Sequence, residues 1–489
     1  MRLRLIFFSL FLLAAATVSA AKPNVIMICV DDLKPTISSY GDTVAITPNI
    51  DRLAKRGVLF EKAYCNQAVC SPSRNALMTG LRPQTLGIYE LSTNFRKGAP
   101  DAVTISQHFM KQGYTAEAMG KIFHVGHGNT EDAASWSVPA WKPKGKAYAN
   151  AESTSVTRPS RTGSDRGWAT ESADVGDTTY ADGLIAQEAV KRLKLAAKNP
   201  GQPFFMAVGF MKPHLPFVAP KKYWDLYDPA KLPMPEVTTA PAGAPEYAGK
   251  AGGELRQYSD MPTKGPIDEA MTRRLIHGYY AATSYMDRQL GRVLDTLEAT
   301  GLAENTIIVF WGDHGWHLGD HSMWCKHTNY EQAARIPVIV AAPGASQGVK
   351  TSSLIETVDI YPTLSELAGL PAPDRLDGKS FAAVVKDPAQ KTRESIIHVY
   401  PRNDLLGRAI RTDHYRLVEW KKAGSQEAPD ALELYDYQED PLETKNLAAE
   451  RPEVVKELAA ILATHPEAKP QIQVAAAKGD GKGKKKAKK

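Results

Sequence analysis

Three stretches of the chain are apolar almost without interruption, at residues 23–30, 203–210 and 305–311. Continuous runs of this kind predict strands buried on both faces. Between them, apolar residues recur at helical spacing. The pattern predicts helical character over 53–60 and 105–112 and one long helix over 271–300. Alternation of buried strands with helices predicts an α/β domain with a large mixed or mostly parallel sheet flanked by helices. After about residue 393 the texture changes. Short alternating runs at 395–400 and 415–420 predict a smaller antiparallel sheet carrying a C-terminal helix over 452–463. Two polar stretches rich in Pro, Gly, Ser and Ala, 136–177 and 229–266, read as surface insertions of the kind that wall substrate pockets.

The two ends read differently from the body. Arg2 and Arg4 precede an apolar run over 5–16, followed by Val18-Ser19-Ala20, which predicts a cleaved export signal over 1–21. The run is short for a membrane-spanning helix. Residues 22–393 then form the expected catalytic domain and 394–468 the C-terminal α+β subdomain. Residues 469–489 are Lys-, Gly- and Ala-rich and predict a disordered tail. The formal net charge of +6 is misleading, because the seven lysines and one aspartate of 478–489 account for all of it. The body is close to neutral, which excludes a nucleic-acid surface spread over the fold. The four cysteines, Cys29, Cys65, Cys70 and Cys325, are too few for a disulfide framework. Cys29 lies inside an apolar run and reads as packed there.

Candidate chemistry gathers at run ends. The first run closes on Asp31-Asp32 and the third on Gly312-Asp313-His314-Gly315. α/β folds place ligands at the carboxyl ends of their strands. Two adjacent buried carboxylates repel each other unless they share a cation; an exposed acidic turn is the alternative reading. Oxygen-rich ligands suit Ca²⁺, although ligand type alone does not separate it from Mg²⁺. Structural-zinc spacing is lacking. Cys70-Ser71-Pro72-Ser73-Arg74 places a thiol directly ahead of a predicted helix start, with Pro72 near the first helical position and a cation one turn in. On the residues alone, Cys70 is either a buried structural cysteine or a low-pKa thiolate nucleophile.

A third reading is a resemblance. Cys-x-Pro-Ser-Arg followed by Leu77-Met78-Thr79-Gly80 resembles the signature of the formylglycine-dependent sulfatases, of the alkaline-phosphatase-like superfamily. Asp31-Asp32-Leu33-Lys34-Pro35, Thr47-Pro48-Asn49-Ile50-Asp51, Gly120-Lys121-Ile122-Phe123-His124 and Lys212-Pro213-His214-Leu215-Pro216-Phe217 resemble its iduronate-2-sulfatase branch, and Lys326 follows Asp313 at the family's distance. The resemblance implies that a formylglycine-generating enzyme oxidises Cys70 to an aldehyde, and that the product is exported to the periplasm or outside the cell without stable membrane insertion. It implies one Ca²⁺ held by Asp31, Asp32, Asp313 and the modified residue 70, with His314 at or beside it. The hydrated aldehyde would present two hydroxyls. One attacks sulfur and displaces the sugar oxygen; the other then loses its proton as sulfate is expelled. Arg74, Lys121 and Lys326 would neutralise the sulfuryl oxygens, His124 would steer or deprotonate the hydrate, and His214 would protonate the leaving oxygen. Asn49 and Asp51 read as structural, at a capped helix start. His317, His321 and Trp324 are candidates to line the pocket. The implied activity is hydrolysis of sulfate esters in sulfated saccharides, with uronate 2-O-sulfate as one candidate. The alternatives are a phosphonate or phosphate ester hydrolase of the same superfamily and an inactive glycan-binding homologue.

Overall fold

The computed structural model describes residues 22–156, 166–249 and 252–473. The expected export signal, the Lys-rich segment 478–489 and part of the first insertion, 157–165, lie outside the described residues.

The core is one sheet of mixed direction. Its strands run in the spatial order Val349–Thr351, Val58–Tyr64, Arg335–Ala341, Thr306–Gly312, Asn24–Val30, Phe204–Phe210, Thr115–Gly120, with Ile355–Glu356 also paired to Val58–Tyr64. Asn24–Val30 is central and pairs in parallel with Phe204–Phe210 and Thr306–Gly312. Only Arg335–Ala341 reverses direction, antiparallel to both its neighbours. All seven residues of Asn24–Val30 are buried, and alternate side chains feed opposite layers: Val25, Met27 and Cys29 enter one apolar cluster, Ile26, Ile28 and Val30 the other. Cys29 is therefore packed, as its place in the run predicts. The long helix Glu269–Ala299 covers one face. Among the described residues no helix is long and apolar enough to cross a membrane.

The predicted helix over 53–60 needs correction. Helix Pro48–Arg56 stops at Gly57, and 58–60 begin a sheet strand. The backbone sets this boundary. A Cβ at Gly57 would stand 2.2 Å from the carbonyl oxygen of Val340, so only glycine lets helix and strand meet so closely. The helix start also differs from the expected local cap. Thr47 makes no side-chain cap; instead the Asp287 carboxylate, from the long helix, accepts hydrogen bonds from the backbone N–H groups of Asn49 and Ile50.

The C-terminal region forms a four-stranded antiparallel meander, Ser395–Arg402, Leu405–Thr412, Tyr415–Lys421 and Ala431–Asp436, with helix Pro452–Ala463 packed on it through Leu458 and Leu462. Val399 N–H donates to the Asn66 carbonyl, which ties the meander to the segment leading into Cys70. The first residues of the predicted tail are tied to the body: Lys469 and Ile472 donate backbone hydrogen bonds to the Gln84 and Gly87 carbonyls.

Candidate active site

Adjacent parallel strands deliver the acids. Asn24–Val30 and Thr306–Gly312 end side by side, where Asp313 N–H donates to the Val30 carbonyl and Asp32 N–H donates to Asp313 Oδ1 at 2.9 Å. Asp32 adopts a left-handed backbone (φ 60°), and its carbonyl accepts a 2.7 Å hydrogen bond from the Tyr279 hydroxyl of the long helix. The turn that carries both acids is thus held from below.

Helix Cys70–Thr79 is buried along its whole length and begins at the cysteine itself, which places Pro72 third rather than first. Cys70 Sγ lies 3.3 Å from His314 Nε2 and 3.9 Å from Asp32 Oδ1. The donor atoms of Asp31, Asp32, Cys70 and His314 all fall within 4.8 Å of one another, a spacing that one cation can bridge. Asp313 stands one step aside. Its Oδ1 is 3.6 Å from His314 Nε2, and its Oδ2 accepts from Arg74 Nε at 2.9 Å.

Three cations answer the three acids. Arg74, fully buried, donates to Asp313 and, at 3.0 Å, to Asp31 Oδ1. Lys121 pairs with Asp31 Oδ2, and Lys326 Nζ sits 3.0 Å from both oxygens of Asp32. Lys121 follows the strand Thr115–Gly120, where Gly120 (φ 78°) approaches the Gly209 carbonyl so closely that a Cβ would stand 2.0 Å from it.

The electrostatics split the acid pair. Burial acts to raise Asp31, yet Lys121 and Arg74 hold it well below the ordinary carboxylate range. Burial pushes Asp32 well above that range; Lys326 opposes this, while Asp31 and Cys70 add to it. Burial, with Asp31 adding, pushes the Cys70 thiol up to about 12. That argues against the low-pKa thiolate reading, because the thiolate is the nucleophilic form.

The histidines divide. His214 Nδ1 lies 2.5 Å from the Leu215 carbonyl, and its Nε2 is 3.3 Å from Glu254 Oε1 and 3.8 Å from Asp32 Oδ2. Burial and Lys326 press it down to about 3. The geometry argues the other way, since oxygen acceptors at both nitrogens suit the doubly protonated ring. An arriving anion adds to that preference. His124 is buried and bonded through Nε2 to His127 Nδ1 at 3.2 Å, while its own Nδ1 is buried without a partner. Burial, reinforced by Lys121, lowers His124 to about 3.

Asn49 and Asp51 are structural here: Asn49 bonds Asp287, and Asp51 accepts from Ser38 and Ser39. His317 bonds Thr328 Oγ1, His321 bonds the Thr239 carbonyl, and Trp324 packs in an apolar cluster, so the charged group is built without them. Two residues went unassigned. Lys212 donates 2.7 Å bonds to the His214 and Pro216 carbonyls and so fixes the loop that carries His214. Its place in the Lys-Pro-His motif could have marked it. Glu254 reaches Lys326 and His214 from the second insertion, and no pattern in the sequence marks it.

An α/β fold with a buried cluster of acids, cations and a helix-heading cysteine suits hydrolysis of esters of a small tetrahedral oxyanion. The chain belongs to the sulfatase family, the sulfuric ester hydrolases: the Sulfatase family model matches residues 23–370, and a model described as N-sulphoglucosamine sulphohydrolase, C-terminal, matches 319–467. Iduronate 2-sulfatase of Mus musculus is 32% identical over 87% of this chain and 90% of its own length. A solved structure described as a complex with its substrate, D-glucosamine-2-N,6-O-disulfate, superposes with a TM-score of 0.72 at 21% identity, over 91% of this chain and 97% of the other. A phosphonate monoester hydrolase from Silicibacter pomeroyi gives the same TM-score at 23% identity, over 90% and 94% of the two chains. At that identity both structures speak to the fold alone.

Proposed function

We propose that the protein is an exported sulfatase that hydrolyses sulfate monoesters of sugars, with Cys70 converted to formylglycine by a formylglycine-generating enzyme and one Ca²⁺ held by Asp31, Asp32, residue 70 and His314, with Asp313 beside them. One observation carries this reading: a helix-heading cysteine buried within 4.8 Å of donor atoms from Asp31, Asp32 and His314. The donor set fits a hard cation once residue 70 offers oxygen in place of sulfur. When bound, the ion would draw charge from the sulfuryl oxygens, and the hydrated aldehyde would supply the oxygen nucleophile that the high-pKa thiol does not.

The side chains of this chain divide the remaining work. Arg74, Lys121 and Lys326 present fixed positive charge to the ester's non-bridging oxygens in a water-poor setting, where it acts most strongly. His214, between two acceptors, carries a proton at Nε2 for the departing sugar oxygen. His124, whose Nδ1 has no partner, would take a proton from residue 70. Similarity to iduronate 2-sulfatase supports a sugar substrate, with a uronate 2-O-sulfate as the first candidate. The export reading rests on the basic and apolar pattern of residues 1–20.

The test has two parts. Peptide mass analysis of the segment holding Cys70 should find the aldehyde, and a protein that retains the thiol throughout would point to a silent glycan binder. Turnover of an aryl sulfate should exceed that of the matching aryl phosphate and phosphonate; the reverse order would assign the phosphonate hydrolase reading.

A further inference from the structure

Glu254 is a fourth acid at the mouth of the site, with cationic partners of its own. Arg74 and Lys121 answer Asp31, Arg74 also answers Asp313, and Lys326 answers Asp32. Three acids and three cations are matched before Glu254 arrives. Its Oε2 nevertheless lies 3.1 Å from Lys326 Nζ and its Oε1 3.3 Å from His214 Nε2, with Arg166 at 3.6 Å on the outer side. A carboxylate set beside an anion site repels anions unless its own cations answer it, and it can meet something else on the substrate.

Exposure shows what that is. Asp31, Asp32, Asp313, Arg74 and Lys326 have side chains no more than 3% exposed, whereas Lys121, Glu254 and His214 are 15%, 13% and 23% exposed. Incoming substrate meets these last three groups first. Burial acts to raise Glu254, but Lys326 and His214 hold it well below the ordinary carboxylate range, so it stays ionised. A carboxylate offers about four acceptor positions, and the three partners Lys326, His214 and Arg166 leave room for one more.

We propose that Glu254 is a specificity-determining residue: its carboxylate accepts a hydrogen bond from a donor on the carbon next to the one bearing the sulfate ester, and it disfavours a second anion there. The proposal rests on the sulfatase reading above and narrows the substrate class to sulfate esters flanked by a hydroxyl or other donor. A hydrogen bond to a charged group, and like-charge repulsion at a few ångströms, are each worth about tenfold or more in such a site.

Three aryl esters isolate the effect: 2-hydroxyphenyl sulfate, 2-methoxyphenyl sulfate and 1,2-phenylene disulfate. The wild type should rank them in that order by kcat/KM. Glu254→Gln should raise the disulfate relative to the methoxy ester about tenfold, and Glu254→Met should lower the hydroxy ester relative to the methoxy ester by a similar factor. Equal losses on all three esters, with the ratios unchanged, would show that Glu254 only positions His214 and Lys326, and would overturn the proposal. Calorimetric titration of the same esters into protein with Cys70 still a thiol separates this from the parent reading. Preference for the hydroxy ester in binding, lost in Glu254→Gln, supports the proposal even without turnover; equal binding of all three overturns it even if the protein is an active sulfatase.

Discussion

Two of the buried clusters of acids and cations make an instructive pair. One is the site around Asp31, Asp32 and Asp313. The other lies where the main sheet meets the C-terminal meander and joins Glu356 and Asp359 to Arg82 and Arg393. Both are almost solvent-free, and both split their acids electrostatically. At the second cluster burial works to raise Glu356, yet Arg393 and Arg82 take it down to about 2, while burial lifts Asp359 to about 6. A split acid pair is therefore no mark of function. The difference lies in where the lone pairs go. Glu356 is saturated by Arg82, Arg393, Asn66 and the Ile397 N–H, and Asp359 by Arg393 and the N–H groups of Lys379 and Glu356. At the first cluster Asp31 and Asp32 keep oxygens that converge with Cys70 and His314 on one point. Closed clusters hold a fold together; a convergent one is built for a ligand.

The largest effect should separate the clusters by activity. Cys70→Ala removes the nucleophile while changing little packing, so kcat should fall at least about 10³-fold with thermal unfolding almost unmoved. Arg393→Ala should do the opposite: loss of about 3–5 kcal/mol of stability, because buried acids lose their partner, with unchanged kcat per folded molecule. Urea unfolding and active-site-normalised kinetics check both. A Cys70→Ala protein with normal turnover would place the reaction elsewhere.

Arg74→Ala sharpens the contrast further. Arg74 bridges Asp31 and Asp313 much as Arg393 bridges Glu356 and Asp359. With calcium present the ion remains to balance the acids, so Arg74→Ala should cost less stability than in chelator, whereas Arg393→Ala should cost the same in both. Chelation of the wild type should itself lower stability by about 2.7 kcal/mol relative to calcium at a hundred times its dissociation constant, restored by adding the ion back. Thermal shifts that ignore calcium in wild type and Arg74→Ala alike would refute a metal at this point.

The two clusters were also unequally legible. Strands 23–30 and 305–311 announce themselves as apolar runs, and acids at their carboxyl ends are visible as abrupt polarity changes. The cysteine-headed helix carries its own motif. The strand Val58–Tyr64 was hidden because a helical pattern runs straight into it across Gly57, and the boundary is set by the Val340 carbonyl, a tertiary neighbour. Glu254 was hidden for a related reason: its loop has no periodicity, and only the folded path brings it to Lys326. Glu356 and Arg82 lie 274 positions apart, with nothing local to join them. Local chemistry is readable; convergence through loops is a property of the fold.

The smallest predicted effect concerns protons and again sets structure against site. His398 is buried on the meander strand nearest Glu356, its Nε2 has no partner, and burial, with Arg416 adding, lowers it to about 3. The folded protein thus keeps His398 neutral, whereas the unfolded chain protonates it below its ordinary value of 6.5. Between these values the unfolded state binds more protons, so this stability is fully present above pH 6.5 and is lost as the pH falls toward 3. From pH 7 to 5 the loss is about 2 kcal/mol. Asp359, lifted to about 6, has the opposite sign as pH falls from 6 to its ordinary 3.8, so only a difference measurement isolates the histidine. The stability gap between wild type and His398→Gln should therefore shrink by about 2 kcal/mol from pH 7 to 5, while the pH profile of kcat, set at the Asp31 cluster, stays the same in both proteins. A kcat profile that moved with His398→Gln would mean that the closed cluster communicates with the convergent one, and that the separation drawn between them is false.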